Sequence, residues 1–441
     1  MTNLKNSLGI RLIIIAALSL LLLIPAILIQ NVISERENRR DAVAEEIGQK
    51  WGREQSVVGP VLTIPYSHSV KTDDGTYTSK RYAHLLPESL MINGAIQPEL
   101  RYRGIYEVVV YNSNVTVSGN FSAVTLNSLG VSPDDFLLDD AFVSVGISDM
   151  AGIKEAITIN WNDDEFVASP GIESADVLSS GISIFPEVEA GRDYTFDISL
   201  DLNGSSGLHF SPVGEETSVE LQSDWPNPSF AGGFLPATRE VNEDGFRSEW
   251  KVLHLNRNFP QQWLGANQEI VNTTFGVDLL LPVDEYQKTM RTAKYAIMFI
   301  ALTFLTFFMI ELLSGSIIHP VQYLLIGFAL LIFYTLLLSI SEYVVFGVAY
   351  LVAATAIVLL ITTYSYMVLS NRRNTAIVFG VLSLLYGYLY VLLQLQDFAL
   401  LFGSIGLFCV LACIMYLTRH IDWFEIMGNQ SADTLPVKSA G

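Results

Sequence analysis

The chain changes texture twice. Positions 12–33 carry no charged side chain, positions 34–293 mix polar and apolar residues, and positions 294–417 are apolar again with few charges. A helix of about 20 apolar residues crosses the ~30 Å hydrocarbon core of a bilayer. The first run is longer than the roughly 7–15 apolar residues of a cleaved signal peptide. It also runs into Gln30, Asn31, Ser34 and Glu35 rather than a small-residue cleavage site. It reads as an uncleaved signal anchor, with 1–11 as a cytoplasmic N-terminus and 12–33 as the first transmembrane helix. Pro25 lies inside it, where neighbouring helices can satisfy the carbonyl it frees.

Polar punctuation divides the C-terminal block into five spans: 294–313, 320–340, 344–368, 375–393 and 398–417, with 418–441 as a tail. Each is long and apolar enough to cross. Six crossings place both termini on one side. With that side cytoplasmic, Lys5, Arg11, Arg372, Arg373 and Arg419 all lie inside, as the positive-inside rule asks. Lys288, Arg291 and Lys294 disagree, but they flank a long translocated segment, which weighs little in that rule. Residues 34–293 are then periplasmic in a bacterial inner membrane protein.

Within the polar block, 34–55 extends the first helix. It holds no proline, and Glu35/Arg39 and Glu46/Lys50 are oppositely charged four residues apart, so the helix is expected to continue toward Gly52. Beyond Gly59 and Pro60 the period shortens. Segments 61–64, 107–111, 114–121, 194–202 and 217–221 are β-branched and aromatic, several alternating strictly, with Gly, Asn, Asp and Pro between them. Helical turns are expected only at 121–129 and 258–264. The fold class is α+β: a signal-anchor helix, a large β-rich, sandwich-like domain of one or two lobes, and a C-terminal five-helix transmembrane bundle.

Composition sharpens this. The 441 residues are 50% hydrophobic and only 16% charged, against about 25% in ordinary soluble domains. The formal net charge is −20. Residues 34–293 hold 18 Lys/Arg against 39 Asp/Glu, a net of −21, so the acidity belongs to the exported domain. That sign argues against nucleic acid as a partner; the partners expected are the lipid bilayer and an envelope protein or glycan. Cys409 and Cys413, the two cysteines, provide no disulfide framework and read as small apolar residues of the last span.

No catalytic, metal or cofactor signature appears. His68, His84, His209 and His254 are scattered, with no H-E-x-x-H spacing, no G-x-S-x-G elbow and no Gly-rich phosphate cradle. Acid pairs such as Asp134-Asp135 and Asp139-Asp140 lack the alternate spacing of a calcium loop. The polar residues of the bundle to watch are Glu311, His319, Gln322, Glu342 and Asp397, because ionisable groups at membrane depth are costly and kept for a reason. Glu311 and His319 fall at one face and Glu342 and Asp397 at the other, with no charge at mid-depth. Pro320 suits a first helical turn. His319 before it can cap that helix or meet Glu311 across a short loop, and a pairing of those two is expected. Tyr364, Tyr366, Tyr386, Tyr388, Tyr390, Tyr416 and Trp423 flank spans as an interfacial belt does, Tyr386 and Tyr390 sharing one face.

Several strings together are specific. Glu311 with Ile318-His319-Pro320-Val321-Gln322-Tyr323-Leu324-Leu325, and Ser339-Ile340-Ser341-Glu342, resemble the CreD family of bacterial inner membrane proteins. So do Gly59-Pro60-Val61-Leu62, the run from Arg101 through Gly104 to Tyr111, Trp225-Pro226-Asn227-Pro228-Ser229-Phe230, Gly233-Phe234-Leu235-Pro236 and Lys294-Tyr295-Ala296-Ile297. The likeness runs from about Gly48 to Trp423. It departs at Tyr343, where a basic residue or His is usual, and at Asn227, where His is usual. The resemblance implies an inner membrane protein tied to envelope integrity, colicin tolerance and a regulon responsive to carbon source or β-lactams, and implies no enzymatic reaction. The leading expectation is a non-enzymatic protein whose periplasmic domain binds an envelope partner. The alternative is a small transporter or lipid-handling protein using the helical bundle.

Overall fold

The computed structural model describes residues 8–72, 75–122, 129–281, 285–314, 318–395 and 398–419. The chain divides into a helical unit, 1–39 with 283–441, and a β unit, 40–282.

Helices α1 (Leu8–Leu21) and α2 (Leu23–Trp51) are nearly continuous. The Leu22 and Ala26 amides still donate to Leu18 and Leu22. Pro25 has no N–H for the Leu21 carbonyl, which accounts for the interruption. The helix does run on to Trp51, as its charge pattern predicts. The C-terminal helices are α3 (Glu285–Lys294), α4 (Ala296–Ser314), α5 (Pro320–Ser341), α6 (Phe346–Leu369), α7 (Arg372–Gln394) and α8 (Ala399–Thr418). Among the described residues, five helices are long and apolar enough to cross a membrane: the N-terminal one and α4 to α7. α8 is apolar as well, over Leu401–Tyr416, and both its cysteines face outward.

The interior of the helical unit is aromatic. Phe333 packs edge-on against Tyr386 at 4.7 Å and Tyr350 at 5.4 Å. Phe299 lies 5.1 Å from Tyr386. The Tyr350 hydroxyl donates to the Tyr386 carbonyl at 2.7 Å, which satisfies a phenol far from water. The Tyr390 ring lies tilted against Tyr350 at 5.2 Å. So Tyr386 and Tyr390 do share an inward face, as a helix contact rather than an interfacial belt. Trp423 lies outside the described residues.

The β unit is two sheets around one hydrophobic core, so it is a single lobe. One sheet runs Pro228–Gly232, Phe275–Leu279, Gly207–Phe210, Gln55–Thr72, Phe142–Ile147, Gly181–Ile184, Ser169–Pro170, with Gly75–Leu85 folded back along Gln55–Thr72. The other runs Thr238–Asn242, Gly245–Leu253, Glu216–Ser223, Ser89–Arg103, Tyr106–Phe121, Tyr194–Ser205, Thr158–Trp161, Asp164–Val167. Alternation does the sorting. Along Tyr194–Ser205 the buried residues include Tyr194, Phe196, Ile198, Leu200 and Leu202, while Thr195 and Ser199 are exposed. The inward faces carry Val57, Leu62, Val115, Leu221, Trp250 and Phe275; each such side chain contributes about 1.5–3 kcal/mol on burial.

One expectation is corrected. Residues 258–264 contain no α-helix; Gln262–Leu264 is a strand paired to Ala83–Leu85, with Trp263 opposite His84. The non-local pairing buries Trp263, which local periodicity cannot register. The expected turn at 121–129 falls mostly on residues outside those described.

The string from Arg101 to Tyr111 also finds its role. Arg101 covers the Trp51 ring at 4.8 Å and Arg103 pairs with Glu46. The Tyr111 carbonyl accepts from Trp51 Nε1 at 3.2 Å, and its hydroxyl donates to Gly207 at 2.7 Å.

Candidate functional site

The polar residues of the helical unit gather at two places. At the first, Glu311 near the end of α4 is only 6% exposed. Its Oε1 accepts from Arg11 Nη1 at 2.6 Å and its Oε2 from the Tyr323 hydroxyl at 3.1 Å. Tyr323 is itself buried against Phe304 and Phe307. A short, charge-assisted bond plus a phenol donor satisfies both carboxylate oxygens, which a buried carboxylate needs. His319 takes the other role open to it. Its Nδ1 accepts the Val321 amide at 3.3 Å, and the Gln322 side chain accepts the His319 amide at 2.9 Å. That is a reciprocal cap on α5, with Pro320 in the first turn. The expected pairing of Glu311 with His319 is therefore replaced by pairing with Arg11 and Tyr323.

At the second place, Glu342 closes α5. The Tyr286 hydroxyl donates to its Oε1 at 3.4 Å, and Arg36 Nε lies 3.9 Å from the same oxygen. Glu285 Oε1 accepts the Phe346 amide at the start of α6. Asp397 lies outside the described residues. Arg11 and Arg36 are 25 residues apart on one helical path; at 1.5 Å per residue that is about 37 Å. The two arginine–glutamate contacts thus bracket a length slightly greater than the ~30 Å hydrocarbon core.

In the β unit two buried histidines stand out. Thr63 Oγ1 is 3.0 Å from His84 Nδ1, and Asp176 lies 3.5 Å from His84 Nε2. Burial lowers the His84 pKa, against the pull of Asp176. The order Thr-His-Asp resembles a relay, but Thr63 and His84 are both buried, which keeps substrate from that hydroxyl. His209, on the strand Gly207–Phe210, has Glu54 Oε1 3.2 Å from Nδ1 and Asp278 Oδ1 3.3 Å from Nε2. Burial alone would depress its pKa; Asp278 and Glu54 outweigh that and raise it to about 9. These three side chains are the group able to hold a metal ion among the described residues. On the second sheet an open groove of about 490 Å³ is lined by Gln97, Gln222, Asp224, Glu240, Asn242 and Asp244, among others.

Sequence reasoning missed four of these participants. Arg11 and Arg36 were legible only as charges flanking a span, and Tyr323 only as part of a motif. His209 lies far along the chain from both its acids, so no spacing marks it. The one signal available was Tyr323 set four residues after His319, which points it back along α5 toward the preceding helix.

Comparison with known proteins fits this architecture. A family model described as inner membrane protein CreD matches residues 7–424. The inner membrane protein CreD of Escherichia coli is 36% identical over 413 residues, covering 92% of this chain and 91% of that protein. Two solved structures overlap weakly. A protein named for nutrient binding from Legionella pneumophila has a TM-score of 0.23 at 10% identity, over 48% of this chain and 70% of that one. An M1 zinc metallopeptidase from Deinococcus radiodurans has a TM-score of 0.19 at 8% identity, over 38% and 39%. Overlaps that low bear on neither fold nor function. The family match over nearly the whole chain, with more than a third of positions shared with a full-length relative, is of another order: the chain belongs to the CreD family of inner membrane proteins.

Proposed function

We propose that this protein supports envelope integrity and colicin tolerance without a reaction of its own. In this reading the helices anchor it and the β unit, on the periplasmic side, binds an envelope protein or glycan. The observation that carries the reading is how the helical unit disposes of charge. Among its described residues the buried charged side chain is Glu311, and Arg11 neutralises it close to a helix end. The rest of the interior is aliphatic, aromatic or small hydroxyl, such as Thr303 and Ser365. A transporter needs ligands near the midplane, and no charged one is present there among the described residues. The β unit, by contrast, carries a surplus of acids and an open polar groove, which favours a partner with basic or hydrogen-bonding groups.

The orientation proposed has six spans, α8 included, with both termini cytoplasmic. Arg372, Arg373 and Arg419 support it. The test of function uses the full-length chain in a strain lacking its own copy. A photo-crosslinking residue is placed at Gln97, Gln222 or Asn242 along the groove, and colicin tolerance is scored in parallel. A discrete envelope adduct that disappears when Asp224, Glu240 and Asp244 are neutralised, together with tolerance, is the expected result. Full tolerance with no adduct at any of the three positions would overturn the binding reading.

A further inference from the structure

His209 is a buried ring with acids drawn in from two directions. It is 6% exposed. Glu54 comes from the residue before the strand Gln55–Thr72, whose Ser56 pairs in parallel with His209. Asp278 comes from the neighbouring antiparallel strand, where it pairs with Gly207, and Gly276 pairs with His209. The backbone is shaped around the cluster. A Cβ on Gly207 would sit 2.5 Å from Asp278 Oδ1 and 2.9 Å from His209 Cε1. A Cβ on Gly276 would sit 3.0 Å from His209 Cδ2. A side chain at Gly207 would displace the ring or the carboxylate, whereas one at Gly276 would first meet the Leu208 carbonyl of the neighbouring strand.

The direction of approach is the informative feature. His209 Nδ1 is shielded from solvent and makes no hydrogen bond, although Glu54 Oε1 is only 3.2 Å away. At that separation a bond fails only when the oxygen lies off the N–H direction. An imidazolium serving simply as a double donor would have its acids on its two N–H axes, on opposite sides of the ring. Here one donor atom from each of Glu54, His209 and Asp278 lies within 4.8 Å of the other two. The acids converge instead of standing apart. The two nearest contacts run to different ring nitrogens, 3.2 Å from Nδ1 to Glu54 and 3.3 Å from Nε2 to Asp278, so a metal on one nitrogen has one carboxylate beside it and the other within 4.8 Å.

We propose that Glu54, His209 and Asp278 form a binding site for a divalent metal ion of the zinc class, with one imidazole nitrogen, two carboxylate oxygens and water completing the shell. One neutral nitrogen with two hard oxygens suits zinc and its late first-row neighbours. Binding exchanges a proton for the ion: the imidazolium releases its proton to solvent, and the freed lone pair takes the metal. The cluster then passes from a charge of −1, with a cationic ring and two carboxylates, to zero. The ion ties the start of the strand Gln55–Thr72 to two strands beside it.

The test takes the full-length protein in detergent, stripped with a chelator, and titrates it with zinc chloride by calorimetry. His209→Gln, Asp278→Asn and Glu54→Gln are run in parallel. Cobalt(II) absorption reports the ligand set independently. One zinc site lost in His209→Gln and weakened about tenfold or more in Glu54→Gln is the expected result. Glu54 is 56% exposed, so its substitution leaves the fold intact and the comparison stands even where His209→Gln folds poorly. Wild-type protein that binds no zinc, or that binds it unchanged by Glu54→Gln, would overturn the site and leave a plain imidazolium between two acids.

Discussion

Removing Arg11 and removing Glu311 have unequal consequences. Their side chains meet at 2.6 Å, where the gross attraction is about 6 kcal/mol at an effective dielectric near 20, before desolvation is charged against it. Desolvation offsets much of that, so the intact pair adds modestly to stability; the larger cost comes from orphaning one member, about 3–5 kcal/mol when the survivor is buried. The survivors differ. Glu311 is 6% exposed and has nowhere to go, whereas the Arg11 side chain is 22% exposed and long enough to bring its head to water. Arg11→Met should therefore cost about 3 kcal/mol or more. Glu311→Gln keeps an oxygen for the Tyr323 hydroxyl and frees Arg11 to move, and should cost about 1–2 kcal/mol. The double variant should resemble Glu311→Gln alone, giving a coupling as large as the Arg11→Met loss itself, about 3 kcal/mol. Unfolding in mixed micelles with rising SDS, followed by helical circular dichroism, measures all four proteins. Equal losses from the two single variants, or losses that add, would refute both the pairing and the burial argument.

Three further outcomes follow from the same geometry. His319→Ala should cost about 1 kcal/mol, the value of an N-cap, and should add to Glu311→Gln in the same SDS titration, since the two side chains have separate partners. Arg36 and Glu342 should couple by less than about 1 kcal/mol in a double-mutant cycle, because at 3.9 Å with Arg36 half in solvent the contact is a surface ion pair. His84, whose pKa burial lowers, makes folding weaken in acid. As pH falls below about 6.5 the unfolded chain takes up a proton that the folded state resists, a slope of up to about 1.4 kcal/mol per pH unit. His84→Gln should flatten the fall in the urea midpoint of the full-length protein by that amount, read by tryptophan fluorescence; an unchanged slope would show that His84 titrates freely.

The parts of the fold legible in the sequence are those set by local period. The unbroken apolar run before Ser34, the charge pairs that carry α2 on to Trp51, and the alternation through Tyr194–Ser205 each impose a helix or strand wherever they sit. Residues 258–264 are not legible locally, because Trp263 is placed by a strand far away in sequence, and helical and extended patterns are indistinguishable over so few residues. The sites were less legible still. Arg11 and Glu311 are 300 positions apart, and neither has a neighbour that names the other. The glycine at 207 makes sense only once His209 and Asp278 are known to lie beside it.

The histidine-proline string shows how a short motif can hold two separable jobs. His319, Pro320 and Gln322 start α5 by satisfying its free amides at the N-terminus. Tyr323 follows in the next half-turn and faces α4, where it donates to Glu311. Glu311 in turn needs a cation, and the nearest one belongs to the first helix of the chain. Thus the cap fixes where α5 begins, that start fixes the depth of Tyr323, and Tyr323 with Arg11 fixes the depth of Glu311. The same N-terminal helix meets Glu342 through Arg36 about 37 Å further on. A helix held at one end can still slide or tilt to relieve a mismatch with the bilayer. Here the Arg11–Glu311 pair is the stronger tether and sets the register, and the Arg36–Glu342 contact, half in solvent, adds a weak bias at the other end. Glu311 near the end of α4 and Glu342 at the end of α5 are thus the acids that meet the N-terminal helix, in a helical unit where Glu311 is the buried charged side chain among the described residues.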